Sequence, residues 1–89
     1  MSKVKVLEGG TVSQGSTFDW ENHTDSDCSI SGTGDYLTES SYTVPKKSGT
    51  TPGTTSATVQ EDVSGDFSYS ASNGKKRENP TLHVDSGKP

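Results

Sequence analysis

The chain is short and mildly acidic, with 89 residues, 12 Asp and Glu, 8 Lys and Arg, and a formal net charge of −4 at pH 7. This length suits one domain with a small core. We expect the domain to span 1–85, followed by a frayed tail at 86–89. The acidic balance disfavours nucleic-acid binding, which needs a clustered basic face. No apolar run approaches the roughly 18 residues of a membrane span, so we expect no membrane insertion.

The apolar content is low, but its distribution is ordered. Leu, Ile, Val and Phe account for 13 of the 89 residues, a fraction that indicates disorder when the net charge is high. Here the net charge is small, and the apolar residues fall in short alternating runs. Such alternation is typical of strands with one buried and one solvated face. No window has the apolar spacing of a helix, so the sequence predicts an all-β protein with a thin core.

The first part of the chain contains four predicted strands. The first lies around 4–6 and the second, a short one, at 11–13. In 17–21 the only tryptophan and one of the two phenylalanines alternate with polar residues. The segment 28–31 repeats this pattern with the only cysteine and the only isoleucine. The polar segment 22–27 between these two strands is predicted to be a loop.

The second part of the chain is predicted to alternate strands with two long polar loops. The segment 45–55 begins at a proline and lacks large apolar residues, so we predict the longest loop there. A second polar loop is predicted at 72–80. In the last strand, 81–85, His83 is predicted on the solvent-facing side. The other strands of this part are predicted at 36–37, 42–44, 57–59 and 67–71.

About seven or eight short strands, separated by Gly and Pro at intervals of about ten residues, predict a β-sandwich. We expect an all-β, Greek-key sandwich, and an immunoglobulin-like arrangement is one possibility. The predicted core consists of the inward-facing residues Val4, Val6, Val12, Phe18, Trp20, Cys28, Ile30, Leu37, Tyr42, Val44, Ala57, Val59, Phe67, Tyr69, Leu82 and Val84.

Two stretches combine a leading glycine with alternating aromatic residues. Gly15–Asn22 has the sequence G-S-T-F-D-W-E-N, and Gly65–Ser70 has the sequence G-D-F-S-Y-S. The first resembles the G-x-x-[VF]-x-[WF]-x-N stretch of the cupredoxins, the small blue-copper β-sandwiches, and the second resembles their later G-x-[FY]-x-[YF]-x-C strand. The resemblance implies a cupredoxin-like fold and a secreted or periplasmic location. The segment 1–7 nevertheless lacks the apolar region of a signal peptide.

The copper ligands of that family are missing at the matching positions. The family's site takes a His soon after the motif Asn, and then a Cys, a His and usually a Met around the end of the later strand. Here Cys28 stands near the first position, Ala71 stands at the second, and no His or Met follows in 72–80. The resemblance therefore implies the fold without the electron-transfer chemistry. It also implies that Cys28 and Ala71 lie close together, so that an Ala71→Cys variant would form a disulfide.

The side chains that could carry chemistry are few. His23, Cys28 and His83 are candidate metal ligands, but they lack a recognisable ligand spacing, and we expect neither a metal site nor a cofactor. Asn22-His23-Thr24 fits the N-glycosylation sequon. With two histidines and 15 serines, no spacing singles out a nucleophile and its base, so we expect no enzymatic activity.

The sequence favours a non-catalytic binding or structural module whose contacts come from its polar loops. We expect a protein or glycan partner and a monomeric chain. The alternative is a copper-binding or degenerate electron-transfer protein that uses His23, Cys28 and His83, and a small hydrolase is a third hypothesis. The candidate contact residues in the loops are Asn22, His23, Lys46, Lys47, Lys75, Lys76 and Arg77.

Overall fold

The computed structural model describes residues 2–86, which contain ten short β-strands and no helix. The predicted all-β class is therefore confirmed, although the strands outnumber the prediction. The predicted strand 67–71 is divided at Tyr69, and a two-residue strand lies within the predicted loop 72–80. The strands are β1 (Ser2–Lys5), β2 (Gly10–Ser13), β3 (Thr17–Asn22), β4 (Cys28–Ser31), β5 (Ser41–Val44), β6 (Gly53–Thr58), β7 (Gly65–Ser68), β8 (Ser70–Ser72), β9 (Arg77–Glu78) and β10 (Thr81–Asp85).

The strands form three sheets, with the orders β1-β3-β6, β2-β10-β7 and β5-β4-β8-β9. β1 pairs with β3 in parallel, and β2 pairs with β10 in parallel, whereas the other pairs are antiparallel. The chain passes from the second sheet to the third at Tyr69, between β7 and β8. The first and third sheets are joined by a hydrogen bond of 2.8 Å that the Thr55 hydroxyl donates to the Thr43 carbonyl. The three sheets thus surround one core.

Trp20 lies at the centre of that core and is fully buried. Its ring centroid is 5.1 Å from that of Phe18, 5.0 Å from that of Tyr69 and 6.2 Å from that of Tyr42. The first two contacts are edge-to-face, the arrangement that the charge distribution of aromatic rings favours. Every residue of the predicted core is buried except Phe67, which is half-buried.

The segment around Tyr36 differs most from the sequence prediction. Instead of a strand at 36–37, Tyr36 ends a turn, and Leu37 makes only an isolated bridge to Val59. Tyr36 is nevertheless buried, because its ring stacks on Phe67 with centroids 4.5 Å apart and its hydroxyl donates to the Ser68 carbonyl at 3.2 Å. Sequence alternation did not identify Tyr36 as a core residue because a turn has no fixed side-chain period.

The long loop after Pro45 is shorter than predicted, because β6 begins at Gly53. A side chain at Gly53 would collide with the Pro45 carbonyl, so only glycine allows the chain to pass this closely. The predicted frayed tail, 86–89, lies outside the described residues except for Ser86.

The strand directions place the connections at two opposite ends of the molecule. Its principal extents are 39 × 22 × 18 Å. The first end, called the loop end, consists of the connections 6–9, 23–27 and 45–52 together with the hairpin segment 73–80, which includes the short strand β9. The second end, called the acid end, consists of the connections 14–16, 32–40 and 59–64.

Candidate binding site at the loop end

Asn22 organises the loop end from inside the fold, where it is 1% exposed. Its side-chain NH2 donates to the carbonyls of Ser26 at 2.8 Å and Val44 at 3.1 Å. Its side-chain oxygen accepts from the Thr24 amide at 2.9 Å and from the Thr24 hydroxyl at 2.7 Å. An Asn side chain that bonds to the backbone two residues on is the usual way to close such a turn. Asn22 therefore holds the loop in place, and both polar atoms of its side chain are already engaged within the fold.

The loop 45–52 packs beside the loop 23–27. The Lys47 amide donates to the Thr24 carbonyl at 3.0 Å, and the Lys46 amide donates to the Asp27 carboxylate at 3.0 Å. The Lys47 ammonium also lies 3.7 Å from the Asp25 carboxylate. Two of the loops predicted to carry contacts are thus fastened to each other.

A groove of about 280 Å³ opens at the loop end. It brings together the turn between β1 and β2, the end of β3 with its following loop, and the turn between β8 and β9. Its floor and walls combine apolar side chains with charged side chains of both signs. The lining residues are Lys5, Val6, Leu7, Glu8, Glu21, Asn22, His23, Thr24 and Lys76.

Glu21 is the least exposed charged side chain of the groove, at 13%. One of its carboxylate oxygens lies 3.3 Å from His23 Nε2, and the other lies 3.8 Å from the Lys3 ammonium. On the facing turn, the Lys5 ammonium lies 3.8 Å from the Glu8 carboxylate. Each of these pairs lies within one segment or between the adjacent strands β1 and β3. Exposed pairs such as Lys5 with Glu8 contribute little to stability, so a ligand would exchange them for its own contacts at little cost.

Comparison with known proteins gave no match to a protein-family model, a curated protein or a solved structure. Within residues 2–86 the structure has no helix whose length and apolar character would allow it to cross a membrane.

The basic residues predicted in the loops are placed around this groove in different ways. Lys76 lines it and lies 3.6 Å from the Glu78 carboxylate, whereas Lys47 is engaged with Asp25 outside it. The side chains of Lys46, Lys75 and Arg77 form no salt bridge with any other residue in 2–86. The loop end therefore presents exposed cations beside a groove of mixed charge.

The three candidate metal ligands do not converge. His23 is at the rim of the groove, Cys28 points into the core with no exposed surface, and His83 is on the outer face of β10. Burial raises the pKa of the Cys28 thiol, which keeps it protonated and unreactive. No group of three or more His, Cys, Asp or Glu side chains suited to a metal occurs in 2–86.

Cys28 and Ala71 lie in adjacent strands, but they are not opposite each other. The register pairs Ala71 with Ile30, and Cys28 with Val44 on the other side of β4. Diagonal neighbours in a sheet are about 7–8 Å apart between Cα atoms, beyond the usual span of a disulfide. The register therefore does not favour the bridge that the cupredoxin resemblance implied for an Ala71→Cys variant.

Both histidines direct ring nitrogens to carboxylates. His23 Nε2 faces Glu21, while His83 Nδ1 faces Asp66 and His83 Nε2 faces Asp85. In the described chain neither ring has a hydrogen bond to a serine or threonine hydroxyl, the contact by which a histidine activates a nucleophile.

Sequence patterns did not indicate several lining residues of the groove. Lys5 and Glu21 lie in predicted strands, Leu7 and Glu8 lie between two predicted strands, and none of the four is in a predicted contact loop. The one local signal is Gly9-Gly10, which predicts that the chain reverses after β1. That turn is at the loop end only because β1 pairs with β3 in parallel, a long-range arrangement that local patterns do not specify.

Proposed function

We propose that the chain is a non-catalytic binding module that engages a protein or glycan partner at the loop end. The observation that supports this proposal is the convergence of separate connections on one groove of about 280 Å³. Loops held on a rigid sheet scaffold are the usual carriers of recognition in β-proteins. Here hydrogen bonds of Asn22 and Asp27 hold two of those loops in a defined shape, which reduces the entropy lost when a partner binds.

The chemistry of the groove suits a partner with both polar and apolar groups. The half-buried Leu7 supplies apolar surface, while Glu21 and Lys76 supply an acceptor and a donor of opposite charge. Ligand sites generally combine an apolar lining with a few polar groups that fix orientation. Peptide segments and sugar rings both present this combination, so the proposal includes both classes.

We also propose that the three sheets form a cupredoxin-like Greek-key sandwich without its copper site. Both motif stretches lie mostly in strands, and their aromatic residues Phe18, Trp20 and Tyr69 meet in the core. The two parallel strand pairs favour this arrangement over an immunoglobulin-like one, whose sheets are antiparallel. The separation of His23, Cys28 and His83 gives the copper-binding alternative no support.

The binding proposal can be tested by screening the purified chain against a glycan array and a displayed peptide library. A double variant, His23→Ala with Lys76→Ala, alters two exposed side chains of the groove. Asp62→Ala is the matched control at the acid end. We expect at least one ligand whose affinity falls about tenfold or more in the double variant and is unchanged in the control.

Two outcomes would overturn the proposal. One is the absence of a ligand from both screens, and the other is a ligand whose affinity depends on Asp62 and not on the groove. A copper titration followed by absorption spectroscopy addresses the alternative, because a thiolate-to-copper band would require Cys28 at a metal site.

A further inference from the structure

His83 lies between two carboxylates on the outer face of the sheet β2-β10-β7. Its Nδ1 is 2.6 Å from an oxygen of Asp66, which is directly opposite in β7. Its Nε2 is 2.8 Å from an oxygen of Asp85, two residues further along β10. All three side chains are accessible to solvent, with exposures of 46% for His83, 70% for Asp66 and 57% for Asp85.

This geometry favours the doubly protonated form of the ring. An ionised carboxylate can only accept hydrogen bonds, so each ring nitrogen must donate for both short contacts to be favourable. Only the imidazolium carries a proton on both nitrogens. In the neutral ring one nitrogen would present a lone pair to a carboxylate oxygen, and one of the two contacts would be lost.

The neighbouring strands contribute no other titratable group to this face. β2 places Thr11 opposite His83 and Ser13 opposite Asp85, and neither ionises. β7 contributes Asp66, and its next residue on the same face is Ser68, opposite Thr81. The hydrogen bonds with Asp66, and then those with Asp85, raise the pKa of His83 above its ordinary value of 6.5.

We propose that His83 is a pH-dependent bridge between β7 and β10, which closes when the ring is protonated and opens when it loses a proton. β10 is the central strand of its sheet, and β7 is an edge strand that pairs with no strand except β10 in the described chain, although Tyr36 also contacts it at Phe67 and Ser68. The bridge therefore changes how firmly β7 is held to β10. Opening it loosens the segment that leads through Tyr69 into the third sheet.

The direction of the pH effect follows from linkage. Because the folded chain holds this proton more tightly than the unfolded chain, the bridge contributes its full stability below about pH 6.5. That contribution is lost as the pH rises through the higher, folded-state pKa of His83.

The same three residues do not suit a metal ion. The carboxylates face opposite nitrogens of one ring, so they cannot both join the ring at a single cation. The two contacts are satisfied by a proton on each ring nitrogen and not by a shared metal ion.

The wild-type chain allows a direct test by long-range ¹H–¹⁵N NMR of the imidazole rings across a pH titration. We expect His83 to carry protons on both nitrogens at neutral pH and to titrate above 6.5. Asp66→Asn and Asp85→Asn should each move the midpoint down toward 6.5, whereas His23→Gln, the matched control, should not move it. Amide exchange of β7, corrected for the intrinsic pH dependence, should accelerate as the ring deprotonates.

Two results would overturn the proposal. The first is a His83 midpoint at or below 6.5 in the wild-type chain, a measurement that needs no variant to fold. The second is a difference in thermal midpoint between wild type and His83→Gln that stays constant from about pH 5 to about pH 9. A purely structural histidine would give that constant difference, whereas a titrating bridge gives a difference that shrinks as the pH rises.

Discussion

The two ends of the molecule have different electrostatic characters. The connections of the loop end carry five Lys or Arg and four Asp or Glu, whereas those of the acid end carry four carboxylates and no Lys or Arg. At the loop end the charges form pairs across loops, such as Lys47 with Asp25. At the acid end Glu61 and Asp62 are exposed without a salt bridge within 2–86. Of the two ends, the loop end is the better candidate for recognition because charges of both signs surround its groove.

The two ends also share one construction principle, since each has an amide side chain whose NH2 donates to two backbone carbonyls. At the loop end this is the buried Asn22. At the acid end it is Gln60, whose side-chain NH2 donates to the carbonyls of Gly34 and Leu37, both at 2.9 Å. Gln60 is only half-buried, so water can replace part of the hydrogen bonding that its side chain provides. The comparison teaches that the loss in unfolding free energy on removing each amide side chain should depend more on its burial than on the number of its hydrogen bonds.

The largest expected effect comes from the core that both ends share. Trp20→Ala removes a fully buried ring in contact with three other aromatic rings. We expect a loss of about 3–5 kcal/mol in the free energy of unfolding, enough to unfold a small domain. Circular dichroism during thermal unfolding checks this, and a variant nearly as stable as wild type would remove Trp20 from the centre of the core.

Asn22→Ala tests the fastening of the loop end. It removes the Asn22 contacts of the buried Val44 carbonyl and of the Thr24 amide, while the Ser26 carbonyl keeps a hydrogen bond from the Thr24 hydroxyl. We expect a loss of about 2–3 kcal/mol, measured by urea denaturation. Asn79→Ala, at an exposed position of the same end, should stay within about 0.5 kcal/mol of wild type. Equal effects of the two substitutions would contradict the role given to Asn22.

Gln60→Ala tests the fastening of the acid end. It removes two hydrogen bonds from a half-buried side chain, and we expect a loss of about 1 kcal/mol by the same denaturation method. The groove is at the opposite end, so ligand binding there should not change. A loss larger than that of Asn22→Ala would break the comparison and make the acid end the more tightly organised one.

Tyr36→Phe should have the smallest effect at neutral pH, about 0.5–1 kcal/mol, because it removes one hydrogen bond to Ser68. Burial, reinforced by the nearby Asp35 charge, raises the pKa of Tyr36 to about 12. The neutral phenol therefore stabilises the fold fully below pH 10, and this stability is lost as the pH rises from about 10 toward 12. Denaturation at alkaline pH should thus show a shallower decline for Tyr36→Phe, and parallel declines would contradict the assignment.

Much of the strand pattern was predictable because alternation is a local property. In β3 and β10, for instance, every second residue faces the core, as expected from the positions of Phe18, Trp20, Leu82 and Val84. A side chain's face in a strand depends only on its place in the backbone repeat. The all-β class and nearly all of the core follow from that repeat.

The sequence alone determined which residues turn inward, and the tertiary structure decided which segments meet. Asn22 was expected in a contact loop and is instead buried, because β5 brings the Val44 carbonyl to it from 22 residues away. His83 was correctly placed on a solvent-facing side, but its two carboxylates become neighbours only through the register of β7 with β10. Pairing register and loop convergence depend on contacts between distant parts of the chain, and no local pattern encodes such contacts.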